Sequence, residues 1–458
     1  MHDDYQLQCT GGGGSTTFYF VHTQYTVEDD YVVIIVLPRI QNKEMQFLKE
    51  FKERVDIKRS IAKLILSNFI SPLFNPPLFN IFYLIPCVHI RSTIMTDPLK
   101  SLNDPDRPIP AAISQKVYAI AGIAVTVFGL EELRKEASEV ACLWLLHPRL
   151  ATQERMTGIA NSALIDWNTR NQDTPSAKGL IAVSFDQRNH GTRTVDPLAN
   201  ESWKKGNPRH AQDMFSIFQG TARDTSVLMD YLPSYTFPSG EHKITENLVL
   251  GVSLGGHAAW SCLLHEPRVS AGVVIIGCPD YINLMADRAR LSKLVSWTKS
   301  DPPGAEVLGS EALPTSFLET VNRYDPAGMM LKHLDCGPST GPLREGPLPQ
   351  PSESEQQVLR PILTHALAGK RILNLSGGKD KLVPYHRGEL FLNWFKQTIS
   401  SDGWFGDGGV SFEDIIDRMA GHEVTPKMAD EAVRFISETL AAGPDKAGRR
   451  GSVRESKI

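Results

Sequence analysis

Glycines stand two residues to either side of a serine in Gly251-Val252-Ser253-Leu254-Gly255, where the apolar run 247–252 gives way to a stretch rich in small residues. A serine so placed suits nucleophilic chemistry. At a sharp strand-to-helix turn its hydroxyl is thrust outward, and side chains at the two flanking glycines would collide. Gly256, Ala258 and Ala259 let the following helix lie close to a sheet. The start of that helix aims partial positive charge and the Leu254 amide at a developing oxyanion. A hydroxyl is a weak nucleophile without a base, and the base needs an acid to orient it. Asp380, in the turn 376–384 after the apolar run 371–375, supplies an acid at a strand's carboxyl end. His422, in the loop 419–424 between a last strand and a last helix, supplies the base. Each residue alone has a plainer reading, a solvated aspartate or a structural histidine. Together, in the order Ser253, Asp380, His422, they point to acyl transfer through a serine.

Other chemistries lack their residues. Neither HExxH nor clustered His and Cys at ligand spacing occurs, and Pro426 stands where a second histidine after His422-Glu423 would be, so no metal is expected. Ahead of Gly378-Lys379, Leu373 replaces the first glycine of a phosphate loop and Asp380 replaces its serine or threonine. No cofactor is expected. The 48 lysines and arginines against 52 aspartates and glutamates leave a net charge of −4, without the electrostatic footprint of a nucleic-acid binder. The six cysteines are scattered with no CxxC pair, several in apolar runs, which reads as buried thiols in a reducing compartment. A cytoplasmic location is therefore expected.

The elements that must position these residues begin near residue 115. Apolar, β-branched runs at 117–130 (two strands), 140–146, 180–185, 247–252, 271–277, 371–375 and 410–416 alternate with helical patterns at 153–169, 211–232, 254–264, 386–398 and 427–440. Short continuous apolar strands separated by helices predict an α/β fold, a mostly parallel eight-stranded sheet with helices on both faces. The two leading strands have no helix between them and should pair as an antiparallel hairpin at one edge. Within 279–370 the alternation breaks into a Pro-rich, partly helical insertion, expected as a lid, with a flexible segment at 337–355. Its apolar residues Tyr281, Leu284, Met285, Leu291, Leu294, Val295 and Trp297 could line an acyl pocket or form the lid's own core.

With 458 residues, 41% hydrophobic and 22% charged, the chain can bury a large core and is neither disordered nor fibrous as a whole. Residues 1–94 look unlike the rest and read as an irregular segment, either not native or a weak membrane anchor. Within it the uncharged stretch 64–87 is long enough to span a bilayer, but Pro72, Pro76, Pro77 and Pro86 break the helix a span requires. Membrane association through it is the alternative location. Residues 95–114 read as a linker, and the basic tail 443–458 as disordered.

Over residues 115–442 the chain resembles the α/β-hydrolase superfamily, on the strength of Gly251-Val252-Ser253-Leu254-Gly255-Gly256, the turn from Gly377-Gly378-Lys379-Asp380 to Pro384, and Gly421-His422. Asp186-Gln187-Arg188-Asn189-His190-Gly191 is similar to the Asp-x-Arg-x-x-Gly turn of many members. We read it as structural, Asp186 and Arg188 fixing the loop, with His190 open to a substrate contact. The resemblance implies a second oxyanion donor after the strand 140–146, where many members carry His-Gly. Here the segment is His147-Pro148-Arg149-Leu150. Pro148 has no NH, so by position the donor is the Arg149 amide, with Leu150 as alternate, beside the Leu254 amide. The implied function is hydrolysis of a small acyl substrate through an acyl-enzyme. A carboxylic ester is the first choice, a thioester or peptide-type amide the alternative, and a noncatalytic binding protein on the same fold a further one.

Overall fold

The computed structural model describes residues 4–9, 16–21, 97–101, 113–174, 177–336, 341–443 and 451–458. The chain forms two units, Met1–Met95 and Thr96–Ile458. Of the first, the described part is an antiparallel pair, β1 (Asp4–Cys9) and β2 (Thr16–Val21). The stretch 64–87 and most of the linker 95–114 lie outside the described residues. Among the described residues no helix is long and apolar enough to cross a membrane.

The second unit opens with the expected hairpin, β3 (Gln115–Ile120) and β4 (Ile123–Phe128). Ala121 and Gly122 between them both have positive φ, the loop geometry that matches the right-handed twist of paired strands. The alternation then runs through β5 (Glu139–Leu146), α1 (Thr157–Arg170), β6 (Gly179–Phe185), α2 (His210–Thr236), β7 (Lys243–Val252), α3 (Leu254–His265) and β8 (Val269–Ile275). Among the described residues, five helices follow before the sheet resumes: α4 (Tyr281–Leu291), α5 (Val295–Thr298), α6 (Thr315–Tyr324), α7 (Pro326–Leu331) and α8 (Glu353–Leu367). The chain closes with β9 (Arg371–Gly377), α9 (Glu389–Ile399), β10 (Ser411–Asp417), α10 (Pro426–Ala442) and β11 (Ser452–Lys457). The strand order is β11-β10-β9-β8-β7-β5-β6-β4-β3. Only the pairs β3/β4 and β4/β6 in this sheet are antiparallel.

Side chains alternate across the strands, and both faces are apolar. On β5, Val140, Cys142, Trp144 and Leu146 face one core layer, under α2, α3, α8 and α9. Ala141, Leu143 and Leu145 face the other, under α1 and α10. That double coverage is why the strand reads as a continuous apolar run, with a hydrophobic contribution of about 2 kcal/mol for each fully buried aliphatic side chain.

Two expectations are corrected. The sheet has nine strands, because part of the tail 443–458, expected to be disordered, forms β11 parallel to β10. Its stability comes from ladder hydrogen bonds and charge pairs, which apolar periodicity does not register: Arg454 Nη1 donates to Glu413 Oε2 at 2.9 Å, and Lys396 reaches Glu455. In the insertion, Tyr281, Leu284 and Met285 neither line a separate pocket nor form a separate lid core; they are buried in the first layer of the domain core. The Tyr281 hydroxyl donates to the Ala211 carbonyl at 2.7 Å, while Leu291 and Val295 are exposed. Of the segment 337–355, residues 337–340 lie outside the described residues. The rest is tied down: Arg344 Nε donates to Asp280 Oδ2 at 2.6 Å, and Ser352 with Glu355 forms a capping box that starts α8.

Candidate functional site

Strand β7 delivers Ser253 into a turn that a side-chain-bearing residue seldom adopts, with φ 56° and ψ −110°. Holding a residue there costs on the order of 1–2 kcal/mol, and the surrounding backbone enforces it. The Ser253 NH donates to the Ile275 carbonyl at 2.9 Å, and its carbonyl accepts from the His257 NH at 3.1 Å, starting α3. The flanking glycines are required by contact. A Cβ on Gly251 would strike the Gly255 carbonyl, and one on Gly255 would strike the Leu146 carbonyl of β5.

Two strands further along the sheet, the turn after β9 holds Asp380, and the loop after β10 holds His422. The Ser253 Oγ and His422 Nε2 are 2.8 Å apart, and His422 Nδ1 lies 2.7 Å from Asp380 Oδ2. The second carboxylate oxygen of Asp380 accepts from the Leu382 NH at 2.8 Å and the Val383 NH at 2.9 Å. Burial acts to raise the carboxyl pKa, but the bonds from His422 and the two amides outweigh it and hold Asp380 below the ordinary carboxylate value. An ionised Asp380 must receive Nδ1–H, which leaves the Nε2 lone pair to accept the Ser253 proton. Ser253 is 8% and Asp380 5% exposed, and the His422 side chain is 10% exposed.

The strand order, the strained serine at the carboxyl end of β7 and the two partners on neighbouring strand ends together identify the architecture. The chain has the α/β-hydrolase fold. No protein-family model matches the sequence, and no curated protein matches it. Among solved structures, the Thermus thermophilus protein TT1662 is 17% identical with a TM-score of 0.41, the likeness covering 72% of this chain and 99% of that one. An S-formylglutathione hydrolase from Agrobacterium tumefaciens is 14% identical with a TM-score of 0.42, covering 73% of this chain and 98% of that one. A hyperthermophilic esterase from the archaeon Pyrobaculum calidifontis is 13% identical with a TM-score of 0.36, covering 75% and 88%. The fold of the present chain rests on its own strand order and elbow.

The segment after β5 is a built loop. His147 is buried, and the Gln187 NH donates to its Nε2 at 2.9 Å, so its Nδ1–H donates to the Pro148 carbonyl at 2.8 Å. The Gln187 side-chain amide donates to the His147 carbonyl. Burial pushes the His147 pKa down to about 4, keeping the ring neutral as these bonds require. Leu150 takes a positive φ of 61° in the turn closed by the Ala151 NH on the Pro148 carbonyl. Gln187 thus fixes the loop backbone that Pro148 cannot support through an NH of its own.

The turn 186–191 has the structural role expected, by a different pairing. Asp186 does not meet Arg188. Its carboxylate accepts from the Gln153 NH at 3.0 Å and from the Thr192 NH and hydroxyl at 2.8 Å. Arg188 instead forks onto Asp224 of α2 at 2.8 and 2.9 Å. His190 is buried against His147, its Nδ1–H donating to the Arg188 carbonyl and its Nε2 without a partner.

Two residues at the site carry no sequence signal. His257, on the first turn of α3, stacks on Phe218, and its Nδ1–H donates to the Cys278 carbonyl at 3.1 Å; burial and the nearby Arg288 push its pKa down to about 3. Arg288 of α4 reaches the acid turn, Nη2 donating to the Leu382 carbonyl at 2.9 Å. In Asp287-Arg288-Ala289-Arg290 it reads as one more charge on a solvated helix face. Only the docking of α4 turns it inward. Among the described residues no cluster of His, Cys, Asp or Glu is arranged to hold a metal ion.

Proposed function

We propose that this protein is a serine hydrolase that cleaves a small carboxylic ester through an acyl-enzyme. What carries the reading is the unbroken relay from Ser253 Oγ through His422 to Asp380, at 2.8 and 2.7 Å, on a strained turn. His422 Nε2 takes the Ser253 proton as Oγ attacks the acyl carbonyl, and Asp380 stabilises the imidazolium that forms. The amides of Leu254 and Arg149 bind the oxyanion, and losing one such donor costs about 3 kcal/mol of transition-state stabilisation. His422 then returns the proton to the leaving alcohol. Water, activated by the same imidazole, attacks the acyl carbon and regenerates Ser253. We place the limit on substrate size in the insertion carrying α4, which reaches the acid turn through Arg288.

A ladder of p-nitrophenyl esters from acetate to decanoate tests chemistry and pocket size together. The wild type is expected to hydrolyse the shorter members, and Ser253→Ala to fall by about 10⁴-fold or more on all of them. Equal rates from the two proteins would contradict the proposal.

A further inference from the structure

The loop between β10 and α10 has no regular secondary structure, yet the imidazole it carries keeps 2.8 Å to Ser253 and 2.7 Å to Asp380 at once. Ahead of His422 the main chain is well tied. Asp417 Oδ1 accepts from the Met419 NH at 3.0 Å and the Ala420 NH at 3.3 Å, and the Lys379 NH of the acid turn donates to the Ala420 carbonyl at 2.9 Å. The Arg418 NH donates to the carbonyl of Ile458, just beyond β11, at 3.1 Å.

Beyond His422 the chain turns inward at Val424, which is fully buried in the second core layer. Both main-chain groups of Val424 are engaged by the opening residues of the second unit: its NH donates to the Pro98 carbonyl at 2.8 Å, and its carbonyl accepts from the Ser101 hydroxyl at 2.6 Å. The segment making these bonds is itself anchored. Leu99 is fully buried in the same core layer, its NH donates to Asp97 Oδ1 at 3.0 Å, the Lys100 NH donates to the Asp97 carbonyl at 3.1 Å, and the Asp97 carboxylate meets Arg155 just ahead of α1. In sequence these residues fall in the stretch that reads as a linker, with no sign of a tie to the histidine loop.

A buried main-chain group without a partner is costly, so Val424 stays where Pro98 and Ser101 hold it. Val424 is two residues from His422, and a displacement of its backbone is carried to the imidazole. Misplacing a reacting group by about 1 Å costs on the order of 10²-fold in rate, even when the change behind it is remote from the chemistry.

We propose that the turn 97–101 is a positioning element of the active site: Pro98 and Ser101 hold Val424, and Val424 keeps the imidazole of His422 in line between Ser253 and Asp380. The inference rests on the serine-hydrolase reading and adds to it residues that touch no substrate and act through His422 alone.

Ser101→Ala in the full chain tests it, because Ser101 is only half-buried and belongs to neither apolar core layer. On the best p-nitrophenyl ester, kcat is expected to fall about fivefold or more with KM within about twofold, and fluorophosphonate labelling of Ser253 to slow by the same factor. Ser101→Thr, which keeps the hydroxyl, should retain most of the rate. Leu99→Ala, which loosens the turn presenting the Pro98 carbonyl, should lower kcat further; should it fail to fold, Ser101→Ala decides alone. The sharpest comparison removes the imidazole. In a His422→Ala background, Ser101→Ala is expected to cause no further loss, since the group it positions is gone. A purely structural Ser101 would slow both backgrounds by the same factor, which would overturn the proposal. So would a folded Ser101→Ala variant with wild-type kcat. A wild type that neither hydrolyses the esters nor takes the probe would overturn the serine-hydrolase reading as well, whereas an active wild type indifferent to Ser101 overturns this inference alone.

Discussion

His422→Ala is expected to lower kcat/KM on the best p-nitrophenyl ester by about 10⁴-fold or more, while Tm changes by no more than about 2 °C. The activity loss follows from the relay. With Nε2 at 2.8 Å from Ser253 Oγ, the imidazole is, among the described residues, the base in contact with the hydroxyl, and without it the neutral alcohol must attack unaided. The fold is spared because the ring, held by polar contacts to Ser253 and Asp380 in a loop beyond β10, belongs to neither apolar core layer. Removing it leaves no apolar cavity of the kind that makes core truncations costly. The relay also predicts non-additivity. Once either member is gone the other has nothing to activate, so Ser253→Ala combined with His422→Ala should be no slower than either single variant. Initial-rate kinetics and thermal unfolding on the three variants check this. A loss below about tenfold for His422→Ala would remove the histidine from the chemistry.

Gly255→Ala should destabilise the second unit by about 3 kcal/mol or more, enough to abolish soluble folded protein. The added Cβ points at the Leu146 carbonyl of β5, and that carbonyl belongs to a strand paired on both sides. Neither α3 nor β5 can retreat without parting the sheet from the helix that starts at the nucleophile. Gly421→Ala, next to His422, is the control, since its Cβ would meet nothing closer than Glu423 Oε1 at 3.9 Å. That variant should unfold within about 0.5 kcal/mol of the wild type in urea. Comparable stability for the two variants would mean that the close approach at Gly255 does not shape the elbow.

The parts of the molecule legible in sequence are those whose physics is local. The hairpin β3–β4, the buried parallel strands and the helix after Ser253 each write their period or their glycines into the chain, and Asp380 and His422 stand where strands end. Strand β11 was hidden because Ser452–Lys457 pairs through backbone and charge, with Val453 its one apolar residue inside the run. The anchoring of the loop after β5 was hidden for another reason: Gln187 lies 40 residues from His147, and only the parallel pairing of β5 with β6 brings them together. Arg288 is the extreme case. Its neighbours Asp287 and Arg290 form a helical charge pair that masks a guanidinium facing the site.

The central claim is that Ser253 is a nucleophile reachable from solvent and activated by His422. A fluorophosphonate probe, mapped by peptide mass spectrometry, measures this directly. A single modified peptide is expected, with the adduct on Ser253, absent from Ser253→Ala and strongly slowed in His422→Ala. A folded wild-type protein that stays unlabelled, or one whose adduct sits on another residue and persists in Ser253→Ala, would contradict it.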